Sequence, residues 1–176
     1  MRWWQWFFCG LAALLSAGCS HALSSAVRQQ IDTSLSLAQL RAAPDSYKGH
    51  IVMLGGDIVS TRNLTEVTLL EVLQKPRDAT DRPLATDQTE GRFMALCEGY
   101  LDSAVYSKGR QVTLAGRVLG TRTDTVGEIT YVYPLLACVE VHLWPPMPDT
   151  RALYPYDYWW PWYRPYWWRP YPFRRF

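Results

Sequence analysis

The sequence predicts a mainly β fold: a small five-stranded β-barrel of the OB type, with one short helix between strands three and four and an irregular tail. Three observations carry this reading. Segments of alternating apolar and polar residues recur from His50 to Val141, separated by glycine, asparagine and proline turns. Their order, three strands, a short helix and two strands, is that of the OB barrel. A glycine pair, Gly55-Gly56, sits inside the first strand, where it bends the chain round a tight cylinder. Closure also spares a strand-rich chain an exposed edge.

Residues 1–18 read as an export signal. One arginine, Arg2, precedes an apolar run from Trp3 to Leu15 and then the small residues Ser16-Ala17-Gly18. A membrane-spanning helix needs about 20 apolar residues, more than this run supplies. Leu15-Ser-Ala-Gly-Cys19-Ser20 resembles a bacterial lipobox. That resemblance implies that Cys19 is diacylated, becomes the new N-terminus and anchors the chain, with Ser20 directing it to the outer membrane. Burial of acyl chains is worth about 0.8 kcal/mol per methylene, and two or three chains hold firmly where one does not. An ordinary cleavable signal peptide is the alternative.

After Cys19 the polar stretch to about Ser34 reads as a tether, so that residues 19–35 are expected to be an acylated N-terminus and linker. Residues 36–145 form the predicted barrel domain, and 146–176 the tail. Leu35–Ala43 has helical spacing and stops at Pro44. Strand one runs His50–Ser60 and strand two Glu66–Gln74, followed by a polar loop, Lys75–Glu90. Strand three is Gly91–Cys97. Asp102 is placed to cap a short helix that Lys108-Gly109 would end. Strand four, near Val112–Leu119, alternates most clearly. A turn at Thr121–Gly127 leads into strand five, Glu128–Val141.

Several segments, in this order, are similar to a known family. They include Gly55-Gly-Asp-Ile58, Thr68-Leu-Leu-Glu-Val-Leu-Gln-Lys-Pro76, Gly99-Tyr-Leu-Asp102, Tyr106-Ser-Lys-Gly-Arg110 and Gly127-Glu-Ile-Thr-Tyr-Val-Tyr-Pro134. From Leu37 to Trp144 the chain resembles the starvation-inducible outer-membrane lipoprotein (Slp) family of Gram-negative bacteria. The resemblance implies a lipid-anchored outer-membrane protein, its domain in the periplasm, tied to stress or stationary phase. It brings no established catalytic residues.

The residues themselves point away from an enzyme. His21, His50 and His142 are scattered, and no nucleophile elbow, zinc-protease helix or phosphate loop is present. Glu71 and Glu128 are the carboxylates to weigh as a hydrolytic pair; alternation favours their facing solvent or pairing with an arginine such as Arg92 or Arg117. Tyr131 and Tyr133 share a strand face, where they either fill the barrel or stack on sugar rings. Cys97 and Cys138 remain after export, in a compartment that permits a disulfide between them; they are a poor metal site. No cofactor is expected.

Charge divides the chain. Excluding residues 1–18 and the tail from Tyr154, thirteen basic residues face fifteen acidic ones. That is not the footprint of a nucleic-acid partner. From Tyr154 to Phe176, thirteen of the residues are aromatic, five are proline and four are arginine, a composition that builds no helix or sheet core. Trp159, Trp160, Trp162, Arg164, Trp167, Trp168 and Arg169 are the expected contacts with membrane or glycan, since Trp, Tyr and Arg favour the membrane–water interface. Lipopolysaccharide and peptidoglycan are the compatible partners besides the lipid that Cys19 enters. Self-association through the tail is a further reading.

Overall fold

The computed structural model describes residues 21–147. Five strands are present: β1 (Ile51–Asn63), β2 (Val67–Gln74), β3 (Arg92–Glu98), β4 (Gln111–Val126) and β5 (Ile129–Leu143). They close in the order β1-β2-β3-β5-β4, with β4 returning to β1. All neighbours are antiparallel except β3 and β5, which pair in parallel through Met94–Leu96 and Leu135–Ala137. The expected mainly β, ring-closed architecture is present, with only short helices.

Alternation puts one face of every strand inside the ring. Val52, Leu54, Leu70, Val72, Phe93 and Leu114 belong to one buried apolar cluster. Helix α2 (Leu37–Ala42) adds Leu37 and Leu40, both fully buried in it. A capping box starts this helix: Ser36 Oγ accepts from the Gln39 N–H, and the Gln39 side chain accepts from the Ser36 N–H at 2.8 Å. A 3-10 turn, Pro44–Tyr47, then carries the chain to β1.

Gly56 lies where β1 is paired on both sides, opposite Gln74 of β2 and Val112 of β4. A Cβ there would stand 2.0 Å from the Leu73 carbonyl oxygen. Gly55 makes room for a different neighbour, since its Cβ would meet Arg77 Cδ at 2.9 Å. The register shift in β1 falls later, between Ile58 and Ser60.

Three expectations need correction. First, no helix forms between β3 and β4. The Asp102 carbonyl accepts from the Val105 and Tyr106 N–H groups and its carboxylate from Ala104, a single turn that goes no further. Beyond it the backbone is bound to β1: Tyr106 O accepts from the Thr61 hydroxyl at 2.6 Å, the Arg110 carbonyl accepts from the Ile58 N–H, and the Gly109 N–H donates to the Ile58 carbonyl. Leu101 and Tyr106 pack on the interior cluster in place of a helix.

Second, Thr121–Gly127 is not a turn. β4 continues through it to Val126, with Thr121, Thr123 and Thr125 opposite Pro134, Val132 and Thr130. β-branched threonines suit a strand. Only Gly127-Glu128 turn, and Gly127 with φ +61° supplies the positive angle of a two-residue hairpin of type II′.

Third, the tether is folded from its first described residue. Helix α1 (Ser25–Arg28) and the segment around it bring Leu23, Val27 and Ile31 onto the outer face of β1 and β4, against Ile51 and Ala115. Ser24 N–H and Oγ both donate to the Glu140 carboxylate, Oγ at 2.8 Å. Ile31 bridges Ile51. The residues before His21, and with them Cys19, lie outside the described residues.

The opposite face of β2 and β3 carries another buried cluster, Leu69, Met94 and Tyr133, which the β4–β5 hairpin covers with Val126, Tyr131 and Leu135. Burial first, then the adjacent Glu71 carboxylate, push the Tyr133 phenol above its usual value.

Two outcomes are expected. Gly56→Ala should lower the urea-unfolding free energy by about 2 kcal/mol or more, since backbone must move to admit the methyl group. Tyr133 holds its proton in the folded state at a pH where an unfolded tyrosine, near pKa ~10, releases it. Its contribution is therefore complete below that value and lost as pH rises above it. Tyr133→Phe should flatten the decline of unfolding midpoint between neutral and strongly alkaline pH, leaving the part due to Tyr106, whose phenol burial also raises.

Candidate functional site

A groove of about 550 Å³ opens between α2 and the β4–β5 hairpin. Arg41 and Ala42 form one wall, and Thr121, Tyr131 and Val132 the other. Arg41 is held in place by donating from Nη1 to the Glu90 carbonyl at 2.8 Å, and its guanidinium lies 5.3 Å from the Tyr131 ring centre. Tyr131 is fixed at its other end, where its hydroxyl accepts from the Arg92 N–H at 3.1 Å. Gly91, with φ +119°, is required between them: a Cβ would meet the Tyr131 hydroxyl at 2.6 Å and Arg41 Nη1 at 2.7 Å. The groove thus offers a positioned guanidinium, an aromatic ring, a threonine hydroxyl and the half-exposed Val132. Those groups suit a sugar or an anionic polar ligand.

Behind it lies a polar network. Glu71 Oε1 accepts from Arg92 at 2.8 Å and from the Tyr133 hydroxyl at 3.1 Å, while Oε2 accepts from the Ser60 hydroxyl at 3.0 Å. Glu71 therefore pairs with Arg92, one of the arginines expected for it. Arg117 instead donates to the Gly49 carbonyl. The bond to Glu71 raises the Arg92 guanidinium further above its ordinary value. Glu128 takes no part; it is exposed in the hairpin turn. Tyr131 and Tyr133 are in contact, 4.6 Å between ring centres. Their roles differ: Tyr133 is buried filling and Tyr131 is groove wall.

Cys97 and Cys138 occupy neighbouring strands. The parallel pairing ends at Leu96 and Ala137, one residue before them. Both are free thiols, and both border the interior cluster. The Cys138 thiol beside it, then burial, hold Cys97 protonated far above the ordinary thiol range.

A further cluster was not foreseen. In the Lys75–Glu90 loop, Asp81 is buried and has φ +73°, the left-handed region that aspartate enters more readily than most residues. Its carboxylate pairs with Arg28 and with Arg77 at 3.4 Å, and His21 Nδ1 is 3.7 Å away. Its carbonyl accepts from the Thr113 hydroxyl at 2.7 Å. The same hydroxyl accepts from the Trp144 indole at 3.0 Å. Arg82 stacks at 5.4 Å from the Trp144 ring and donates to the Pro145 carbonyl. Asp81 and Arg82 so join the start of the described chain to its end.

The other histidines are apart: His50 bonds to Asp32 at 3.1 Å, and His142 meets Trp144 edge-on. Hydrogen bonds from Ser34 and then His50 lower the Asp32 carboxyl. Among the described residues, no three His, Cys, Asp or Glu side chains are grouped to hold a metal ion. Trp159, Trp160, Trp162, Arg164, Trp167, Trp168 and Arg169, like Cys19, lie outside the described residues.

Comparison with known proteins gives a consistent result. The family described as "Outer membrane lipoprotein Slp family" matches residues 16–173. In Escherichia coli strain K12, the "Uncharacterized lipoprotein YeaY" is 27% identical over 170 residues, covering 89% of this chain and 88% of that protein. "Outer membrane protein Slp" of the same strain is 26% identical over 164 residues, covering 92% and 87%. A Haemophilus influenzae protein is 31% identical over 109 residues, 61% of this chain and 58% of its own. No helix among the described residues is long and apolar enough to cross a membrane. With the family match spanning nearly the whole length, the chain belongs to the outer membrane lipoprotein Slp family and is held at the outer membrane by lipid.

Proposed function

We propose that this protein is a non-catalytic contact module of the cell envelope, anchored through acylated Cys19 with its domain in the periplasm, and serving a structural or stress-related role. The observation that carries the non-catalytic reading is the engagement of both Glu71 oxygens in structural hydrogen bonds. Three donors occupy its two oxygens, and Tyr133 shields it, so it is committed to joining β1, β2, β3 and β5 rather than to proton transfer. In the tail, Trp159, Trp160, Trp162, Arg164, Trp167, Trp168 and Arg169 supply the interfacial residue types for a second contact with lipid or with lipopolysaccharide phosphates.

A second reading is favoured by the groove. Tyr131 beside Arg41 is a platform of the kind that stacks on a sugar and bonds its oxygens, which supports binding of peptidoglycan or lipopolysaccharide glycan. Cys97 and Cys138 complete the proposal. Facing thiols in an exported domain lose two protons and two electrons to a disulfide-bearing oxidase, whose own disulfide is reduced to two thiols.

Metabolic palmitate labelling should mark the wild-type protein in the outer-membrane fraction, and Cys19→Ala should abolish the label; retention of label by the variant sinks the anchor assignment. In a peptidoglycan pulldown of the soluble domain, saturable binding lost in Tyr131→Ala would favour the glycan reading over the first. Protein isolated from the outer-membrane fraction is expected to show a Cys97–Cys138 cross-linked peptide by mass spectrometry without reduction, and thiols still open to alkylation after unfolding would refute the bridge.

A further inference from the structure

We propose that the face around the Asp81–Arg82 loop lies directly against the anionic phospholipid headgroups of the leaflet that holds the acyl chains of Cys19. This rests on acylation of Cys19 and adds to it the orientation of the barrel and the surface that meets lipid.

The length of free chain is the first argument. His21 already stands 3.7 Å from Asp81, Leu23 is 3% exposed, and Ser24 is bound to Glu140. Only Ser20 separates Cys19 from this packed segment. Two peptide units span about 7–8 Å at full stretch, so the lipid-bearing residue stays within that radius of His21. A polar tether would leave the barrel free to tumble; this arrangement does not.

The other end of the barrel gives the second argument. Trp144, Thr113 and Asp81 form one hydrogen-bonded chain, and Arg82 holds the Pro145 carbonyl at 3.0 Å. Trp144 and Pro145 therefore share one face of the barrel with His21. The face nearest the acylated residue is thus one rigid, hydrogen-bonded surface.

Its chemistry fits. Arg28 and Arg77 flank Asp81, each about three-tenths exposed, and Arg82 adjoins them. Asp81 is shielded at 8% side-chain exposure, and Asp78, exposed and accepting from the Thr80 and Arg82 amides, leaves these three arginines facing two aspartates, a net positive balance. Beside these guanidinium groups Leu84 is exposed, an apolar side chain at headgroup level. The β4–β5 hairpin tip is remote: Val126 lies thirteen positions along β4 from Thr113, up to roughly 40 Å at about 3.3 Å per residue.

The test uses the acylated full-length protein in vesicles of phosphatidylethanolamine with phosphatidylglycerol, and in phosphatidylcholine vesicles. Flotation reports anchoring, and backbone hydrogen exchange reports the face. Exchange at residues 77–86 should slow several-fold on the phosphatidylglycerol vesicles, less on phosphatidylcholine, and remain unchanged at 126–129. A flexible ten-residue glycine-serine insertion between Ser20 and His21, with the tail deleted, should preserve flotation and abolish that protection. Failure to float overturns the anchor and this inference together. Flotation with no slowing at 77–86, slowing at 126–129 instead, equal slowing on both lipids, protection that survives the insertion, or protection that appears only when peptidoglycan is added overturns the face alone.

Discussion

The architecture depends on one short parallel contact. Met94–Leu96 against Leu135–Ala137 joins β3 to β5, and without it both strands would have open edges. Parallel neighbours cannot be linked by a tight turn, so the whole of residues 99–134 serves as their crossover. That requirement explains why the β3–β4 connection is spent on binding β1 and the interior rather than on a helix of its own. Leu37 and Leu40, from before the first strand, contribute the helical part of the interior packing.

Strand periodicity made the ring legible. Val52, Leu54, Val112 and Leu114 alternate with residues of the other face as a half-buried strand must; Gly55-Gly56, read as a bend, is instead a place of close approach, and the irregularity in β1 falls at Ile58–Ser60. What escaped the reading depended on partners distant in sequence. Thr-Arg-Thr-Asp-Thr125 is polar enough to resemble a turn, and only pairing with Thr130–Pro134 makes it a strand. Asp102 has the chemistry of a cap, but the backbone after its turn is bound to Thr61 and Ile58 of β1. The folded N-terminal segment had a signal in Leu23, Val27 and Ile31, four apart, which its serine and glutamine content masked.

The candidate site was legible in kind and not in arrangement. Glu71 and Arg92 were recognisable as partners because charged residues on apolar strands need them. That Tyr133 and Ser60 complete the set follows only from the ring. Tyr131 and Tyr133 do share a face, yet that face lies outside the barrel, under the hairpin, so one tyrosine is packing and the other groove. Asp81 left no mark in composition. Its importance comes from a positive φ and from neighbours drawn from both ends of the domain.

The long β4–β5 hairpin also bears on the order of assembly. Its pairs can form one after another outward from Val126 and Ile129 across a two-residue turn, so little loop-closure entropy opposes each step. The β1–β4 pairs, from Asp57 with Gln111 to Ile51 with Arg117, all close loops of more than fifty residues and come at much greater entropic cost. A chain emerging unfolded from export would thus hold a finished hairpin while β1 still lacks its partner. The packing of Leu23 and Ile31 across Ile51 and Ala115 spans that late seam, like a latch set after the ring has shut.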